Sequence, residues 1–212
     1  MRFSRGGEFE VLDLGRADYG ATNERMDLLV DEAALTKGPD RILLAEFNPV
    51  LTVGRGGDVA SYAECGLPVF EVSRGGKATY HGPGQLVAYP LIRLEEEARD
   101  LHGFLSALED ALIRVVGDFG LEGHRDPRNT GCWVGGRKIA SVGVAVRKWV
   151  TYHGLALNIS TDLAEFRRFD PCGLDPEVMT SMEKELGKSP AMDEVKASLT
   201  TRLRETLGED RS

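Results

Sequence analysis

The run Arg137-Lys-Ile-Ala-Ser-Val-Gly-Val-Ala-Val-Arg147, with Val150-Thr-Tyr-His-Gly-Leu-Ala-Leu-Asn-Ile159 after a two-residue gap, decides the fold. Both halves are rich in apolar and β-branched residues, and the short gap reads them as a long hairpin. Working outward, Glu8 to Leu14, Arg41 to Phe47, Leu51 to Val53, Val69 to Val72, Gln85 to Leu91 and Cys132 to Val134 supply further strands. Tyr19 to Lys37 reads as an amphipathic helix with Met26, Leu28, Leu29, Ala33 and Leu35 apolar, closed by Gly38-Pro39. Leu101 to Phe119 is a second, with Phe104, Leu105, Leu108, Leu112, Val115 and Val116 on one face and Gly120 placed to stop it. Phe166 to Gly173 reads as loop or short helix, and Asp193 to Leu207 as a terminal helix. Helices and strands mixed in irregular order predict an α+β sheet layered with helices.

The 212 residues suit one domain spanning 1–212, without linker, low-complexity segment or repeat period. A composition 42% hydrophobic and 28% charged excludes wholesale disorder. No apolar run has membrane-spanning length, and the N-terminal residues lack a signal-peptide core, so a cytoplasmic setting without membrane association is expected. The formal net charge of -8 argues against nucleic acid as a partner. Yet Arg125 to His153 holds six basic residues against Asp126 alone, and Ser73 to Arg93 holds three and no acid. Those segments suggest a local positive surface able to steer an acidic partner. Neither the three cysteines nor the four histidines show metal-ligand spacing, so no metal is expected.

Three segments hold residues suited to chemistry. Arg74-Gly-Gly-Lys-Ala-Thr-Tyr-His-Gly-Pro-Gly-Gln85 packs four glycines and a proline into twelve positions, which excludes a helix or a central strand interior. It suits close backbone approach to a ligand, although a decorated surface turn has the same composition. It matches neither the P-loop nor the dinucleotide pattern. Lys138 stands at the mouth of the buried-looking run Ile139, Val142, Val144 and Val146, where desolvation would fit it for proton transfer; most lysines beside a turn are simply solvated. Asp170-Pro171-Cys172-Gly173 offers a thiol with little steric cover, whereas Cys65 sits in an ordinary loop and Cys132 in an apolar strand, as a small core residue would. The tetrapeptide Thr-Tyr-His-Gly occurs at Thr79–Gly82 and again at Thr151–Gly154, as if two segments brought the same polar chemistry to one cleft.

Together these segments closely resemble the lipoyl(octanoyl) transferases. The matching residues are Arg74-Gly-Gly-x-x-Thr-Tyr-His-Gly-Pro-Gly-Gln85, Tyr89-Pro90, Trp133-Val134, Arg137-Lys-Ile-Ala-Ser-Val-Gly143, Thr151-x-His-Gly-Leu-Ala-Leu-Asn158, Pro171-Cys-Gly173 and Thr180-Ser-Met182. They span about residues 40–185, in order; Cys132 departs from the small or apolar residue expected there. The resemblance implies the fold of biotin and lipoate protein ligase catalytic domains, a central mixed sheet with flanking helices. It implies transfer of an octanoyl or lipoyl group from the phosphopantetheine of acyl carrier protein to a lysine of a lipoyl domain, the first step of endogenous protein lipoylation. The acceptors would be lipoyl domains of 2-oxoacid dehydrogenase complexes and the glycine-cleavage H protein.

Carried onto this chain, the resemblance makes Cys172 the acyl-thioester nucleophile and Lys138 the residue that lowers its pKa and acts as acid, then base. The acyl site would be lined by Arg74, Gly75, Gly76, Lys77, Ala78, Thr79, Tyr80 and His81, by Ser141, Val142 and Gly143, and by Gly154, Leu155 and Ala156. His153, Asn158 and Gln85 are further cleft candidates, with His81 and His153 open to either a turn-holding or a proton-transfer role. Backbone N–H groups of the glycine-rich segments are the expected oxyanion donors. Neither ATP nor a metal is expected. An ATP-dependent lipoate or biotin ligase and a non-catalytic acyl-binding module are the alternatives.

Overall fold

In the computed structural model, which describes residues 3, 9–36, 38–169 and 174–208, the hairpin is built as its sequence predicts. In chain order the strands are β1 (Phe9–Ala17), β2 (Asp40–Phe47), β3 (Val50–Val53), β4 (Val69–Glu71), β5 (Ala78–His81), β6 (Gln85–Leu91), β7 (Gly123–His124), β8 (Gly131–Val134), β9 (Arg137–Arg147) and β10 (Val150–Asn158). The helices are α1 (Tyr19–Leu35), α2 (Leu101–Asp118), α3 (Met182–Leu186) and α4 (Met192–Gly208). Seven strands form one mixed sheet in the order β1-β2-β6-β10-β9-β8-β7, with only the β1–β2 pair parallel. A parallel pair needs a crossover, and α1 provides it.

Alternation along the central strands sends side chains to two cores, because successive residues point to opposite faces. Ile42, Leu44, Leu86, Ala88, Leu155 and Leu157 meet α2 and α4, whose Phe104, Leu108, Leu112, Leu199 and Leu203 are fully buried. Each such side chain contributes about 1.5–3 kcal/mol. Leu43, Ala45, Val87, Tyr89, Tyr152 and Ala156 meet Tyr19, Met26 and Val30 of α1 on the other face. Asp18 and Asp100 cap α1 and α2 by accepting the N–H of Ala21 and Gly103, both at 2.9 Å. Gly120 ends α2 in the left-handed region at φ 86°, as its position predicts.

Several expectations needed correction. A second sheet, β4-β3-β5, stands apart from the first, and β5 lies within the glycine-rich segment as an edge strand. Leu28 and Leu35, counted on the apolar face of α1, are 72% and 80% exposed; the buried stripe is Tyr19, Thr22, Met26 and Val30. β1 runs on to Ala17 because a register shift between Asp13 and Arg16, with Gly15 at φ 58°, lets it resume pairing. The positive surface is also not formed as expected. Arg125 pairs with Glu109 and Asp110, Arg128 with Asp126, Arg137 with Glu185, and Arg147 and Lys148 with Asp31, while Arg74 and Lys138 are buried. Among the described residues no helix is long and apolar enough to cross a membrane.

Candidate active site

Two glycine-rich loops are zipped together at the small sheet. Gly54 donates to Lys77 O (2.8 Å), Arg55 to Arg74 O (3.1 Å) and Gly56 to Gly76 O (3.0 Å). Gly54 has to be glycine, since a Cβ there would lie 2.6 Å from Gly76 O and 2.8 Å from Arg74 O. Arg74 turns inward and clamps the turn. Its guanidinium donates to the carbonyls of Gly75 (2.9 Å), Lys77 (3.1 Å) and Thr52 (2.8 Å), and to Thr52 Oγ1 (2.9 Å). Gly75 N–H donates to Val144 O at 3.2 Å, seating the loop on β9. That N–H is therefore spent on the fold, which leaves the oxyanion role expected of the glycine-rich segments to their other N–H groups.

β9 and β10 form the floor. Gly143 faces Gly154 across the pair, with Val142 opposite Leu155 and Ser141 opposite Ala156. A Cβ on Gly154 would fall 2.3 Å from Ala88 O and 2.7 Å from Pro90 Cδ, so β6 leaves room only for hydrogen. Gly143 lets Arg74 pass, since a Cβ there would lie 3.2 Å from Arg74 Cδ.

His81 is held by a buried polar network. Gln85 Nε2 donates to Tyr80 O (3.1 Å) and Asn158 Oδ1 (2.9 Å), which leaves Gln85 Oε1 as an acceptor, 2.7 Å from His81 Nδ1. That assigns the proton to Nδ1 and the lone pair to Nε2, which sits 3.5 Å from Thr52 Oγ1. Asn158 Nδ2 continues the chain to Thr180 O at 3.0 Å. Burial drives the His81 pKa down to about 4, with Arg74 adding to the effect and Gln85 opposing it. Burial likewise takes His153 down to about 3, with Arg74 and His81 adding to it. His153 occupies the left-handed region at φ 55° and sets its ring edge-on to Tyr89, 5.7 Å between centroids. Both rings are neutral near pH 7.

Lys138 is only 3% exposed, and its Nζ donates to Asn129 Oδ1. Its carbonyl accepts Thr180 N–H at 2.9 Å, and it bridges in parallel to Met179. Gly131, at φ 148°, clears a path for its stem: a Cβ there would meet Ala140 O at 2.1 Å and Lys138 Cε at 3.0 Å. Cys132 packs fully buried in the core, where desolvation pushes its thiol up to about 12. It is the small core residue the sequence indicates.

A cavity of about 450 Å³ brings these parts together. Of the residues nominated from sequence, Arg74, Gly75, Gly76, Ala78, Thr79, His81, Lys138, Ser141, Val142, Gly143, His153, Gly154, Leu155 and Ala156 line it. Lys77, Tyr80, Gln85 and Asn158 are absent from its wall: Tyr80 packs on Phe166, and Gln85 and Asn158 support His81 from behind. Leu105, assigned to the core of α2, instead faces this cavity, beside Phe166, Leu174 and Met179. Tyr19 and Asn129 also line it, and neither carries a sequence signal that nominates it. Cys172, with Asp170, Pro171 and Gly173, lies outside the described residues. Among the described residues no group of three or more His, Cys, Asp or Glu side chains forms a metal site.

Residues 18–204 match the family described as Lipoyl protein ligase A/B catalytic domain. An octanoyltransferase from Geobacter metallireducens is 43% identical over 192 residues, 91% of this chain and 90% of that protein. An octanoyltransferase from Rubrobacter xylanophilus is 43% identical over 204 residues, covering 92% and 91%. Among solved structures, lipoate-protein ligase A bound with ATP superposes at TM-score 0.72 and 19% identity, covering 94% of this chain and 85% of that one. Biotin protein ligase from Aquifex aeolicus, in complex with biotin and ATP, does so at 0.60 and 14%, covering 93% and 70%. These two establish the shared fold, a mixed sheet flanked by helices. With a family match over most of its length and relatives above 40% identity, the chain belongs to the octanoyltransferases of the lipoyl protein ligase A/B catalytic-domain family.

Proposed function

We propose that this acyltransferase moves an octanoyl group from acyl carrier protein to a lysine of a lipoyl domain, through a thioester on Cys172 with Lys138 handling the proton. The observation that carries the reading is the buried Lys138 on the wall of a largely apolar cavity, with Leu174, two residues along the chain from Cys172, on the same wall. Val142, Val144, Leu155, Phe166 and Met179 give an alkyl chain apolar surroundings. At about 0.8 kcal/mol per methylene, the six methylenes of an octanoyl chain gain about 5 kcal/mol when fully buried there.

The proton bookkeeping closes. The Cys172 thiolate, favoured by the nearby ammonium, attacks the thioester carbon, and the bond to the pantetheine sulfur breaks. Lys138 gives its proton to that departing sulfur and becomes a neutral amine. The acceptor lysine, as a free amine, then attacks the octanoyl-enzyme; an amide forms, the Cys172 thiolate leaves, and Lys138 takes the proton released by nitrogen. The net change is one thioester and one amine converted to one amide and one thiol. Because the thioester is already activated, the cycle uses neither ATP nor metal.

Incubating the protein with octanoyl–acyl carrier protein and a lipoyl domain, without ATP, tests this. The lipoyl domain should gain one octanoyl group by mass. Transfer only from free octanoate plus ATP would instead establish a ligase.

A further inference from the structure

We infer that Asn129 is a positioning residue for Lys138, a neutral acceptor that holds the lysine's nitrogen at the cavity in both of its protonation states. The inference rests on the role given to Lys138 above. Asn129 Oδ1 accepts from Lys138 Nζ, and both residues line the cavity.

The loop carrying Asn129 is pinned at several points. Asn129 O accepts from Trp133 Nε1 (3.0 Å), and Asn129 N donates to Asp126 O (3.3 Å). Arg128 lies over the Trp133 ring, 4.2 Å from its centroid, and donates to Gly136 O (3.1 Å). Two residues on, Gly131 N donates to Glu109 Oε1 (2.8 Å), and Arg125 holds Glu109 Oε2 (3.0 Å). A side chain presented from such a frame is preorganised rather than adaptive.

Charge explains why an amide suits this position. An ammonium has three N–H donors and an amine has two, so an amide oxygen keeps its hydrogen bond when Lys138 gives up its proton. A carboxylate at the same place would favour the ammonium strongly and hold Lys138 as the acid. An apolar side chain would take that acceptor away from a buried nitrogen. The charged groups around the loop are already paired with one another: Glu109 with Arg125, Asp126 with Arg128, Glu185 with Arg137. The Cys132 thiol is buried and neutral. Asn129 thus gives orientation without adding a charge.

The test loads wild type, Asn129→Asp and Asn129→Ala with octanoyl, and follows transfer to a lipoyl domain between pH 6 and 10. Asn129→Asp should move the rising limb of the rate profile upward by a unit or more, with transfer at least about tenfold slower at pH 7. Asn129→Ala should move the limb downward and lower its plateau by about 10- to 100-fold. Thermal melts identify an unfolded variant; if Asn129→Ala unfolds, the near-isosteric Asn129→Asp decides alone. Limbs in the wild-type position with rates within about twofold would overturn the assignment. Lys138→Ala runs alongside: full transfer by that variant would remove the lysine's role and the inference with it, whereas its loss combined with silent Asn129 variants sinks the inference alone.

Discussion

Acidification perturbs the two buried histidines most directly, and its cost follows from their surroundings. Burial holds His81 down to about 4 and His153 to about 3, against 6.5 for an unburied ring. The unfolded chain therefore takes up protons first as pH falls. Their contribution to stability is complete above about pH 6.5 and is lost as pH drops toward the folded values. Each ring removes about 1.4 kcal/mol per pH unit in that window, hence about 2 kcal/mol each between pH 7 and pH 5, and about 4 kcal/mol together. Urea unfolding at pH 7, 6 and 5 measures this in wild type, His81→Gln and His153→Asn. Asparagine is chosen because it tolerates the left-handed backbone at position 153. Each single variant should lose about half of the pH slope. Asp126, which its hydrogen bond from Arg128 holds at about 2, titrates below the window. Equal wild-type stability at pH 5 and pH 7, or single variants with the full slope, would refute the claim that both rings are neutral and buried. It would then reopen a proton-transfer role for them.

Other consequences are accessible to simple measurements. Lys148 and Trp149 form the β9–β10 turn at φ 51° and 62°, so Lys148→Asn should raise unfolding stability by about 1 kcal/mol, with its exposed contact to Asp31 a minor loss. A melt unchanged or lowered by that substitution would contradict the strain argument. Gly154→Ala puts a methyl group against Ala88 O and Pro90 Cδ and should cost about 3 kcal/mol, lowering Tm by roughly 10 °C; a wild-type melt would mean β6 yields more easily than its packing suggests. Cys132→Ala should leave octanoyl transfer intact, and native Cys132 should resist alkylation, because its thiol is buried and held up at about 12. Fast labelling of that residue before unfolding would contradict its place in the core.

What sequence alone reveals tracks the range of the interactions. The β9–β10 hairpin and the Gly120 stop of α2 are local features, set by β-branched runs and by a left-handed position, and both stand as read. The repeated Tyr-His pair does bring His81 and His153 to one cavity. Features that depend on distant partners were hidden. Arg137 finds Glu185 and Arg147 finds Asp27, pairings 48 and 120 residues apart that engage an apparent basic face in surface ion pairs. Leu105 fits a helical core stripe but meets the cavity, together with residues of β9, β10 and the segment around Leu174 that are remote in sequence. Asn129 sits in a polar loop without periodicity, and only the folded contact with Lys138 distinguishes it from its neighbours.

The proposed cycle turns on a covalent octanoyl-enzyme on Cys172 whose formation and discharge depend on Lys138. Intact mass of the protein mixed with octanoyl–acyl carrier protein, in the absence of ATP, reads that intermediate. Wild type should gain one octanoyl group, Cys172→Ala none, and Lys138→Ala the same adduct at a rate lower by about 100-fold or more. An adduct that persists on Cys172→Ala, or one that forms at the wild-type rate on Lys138→Ala, would contradict it.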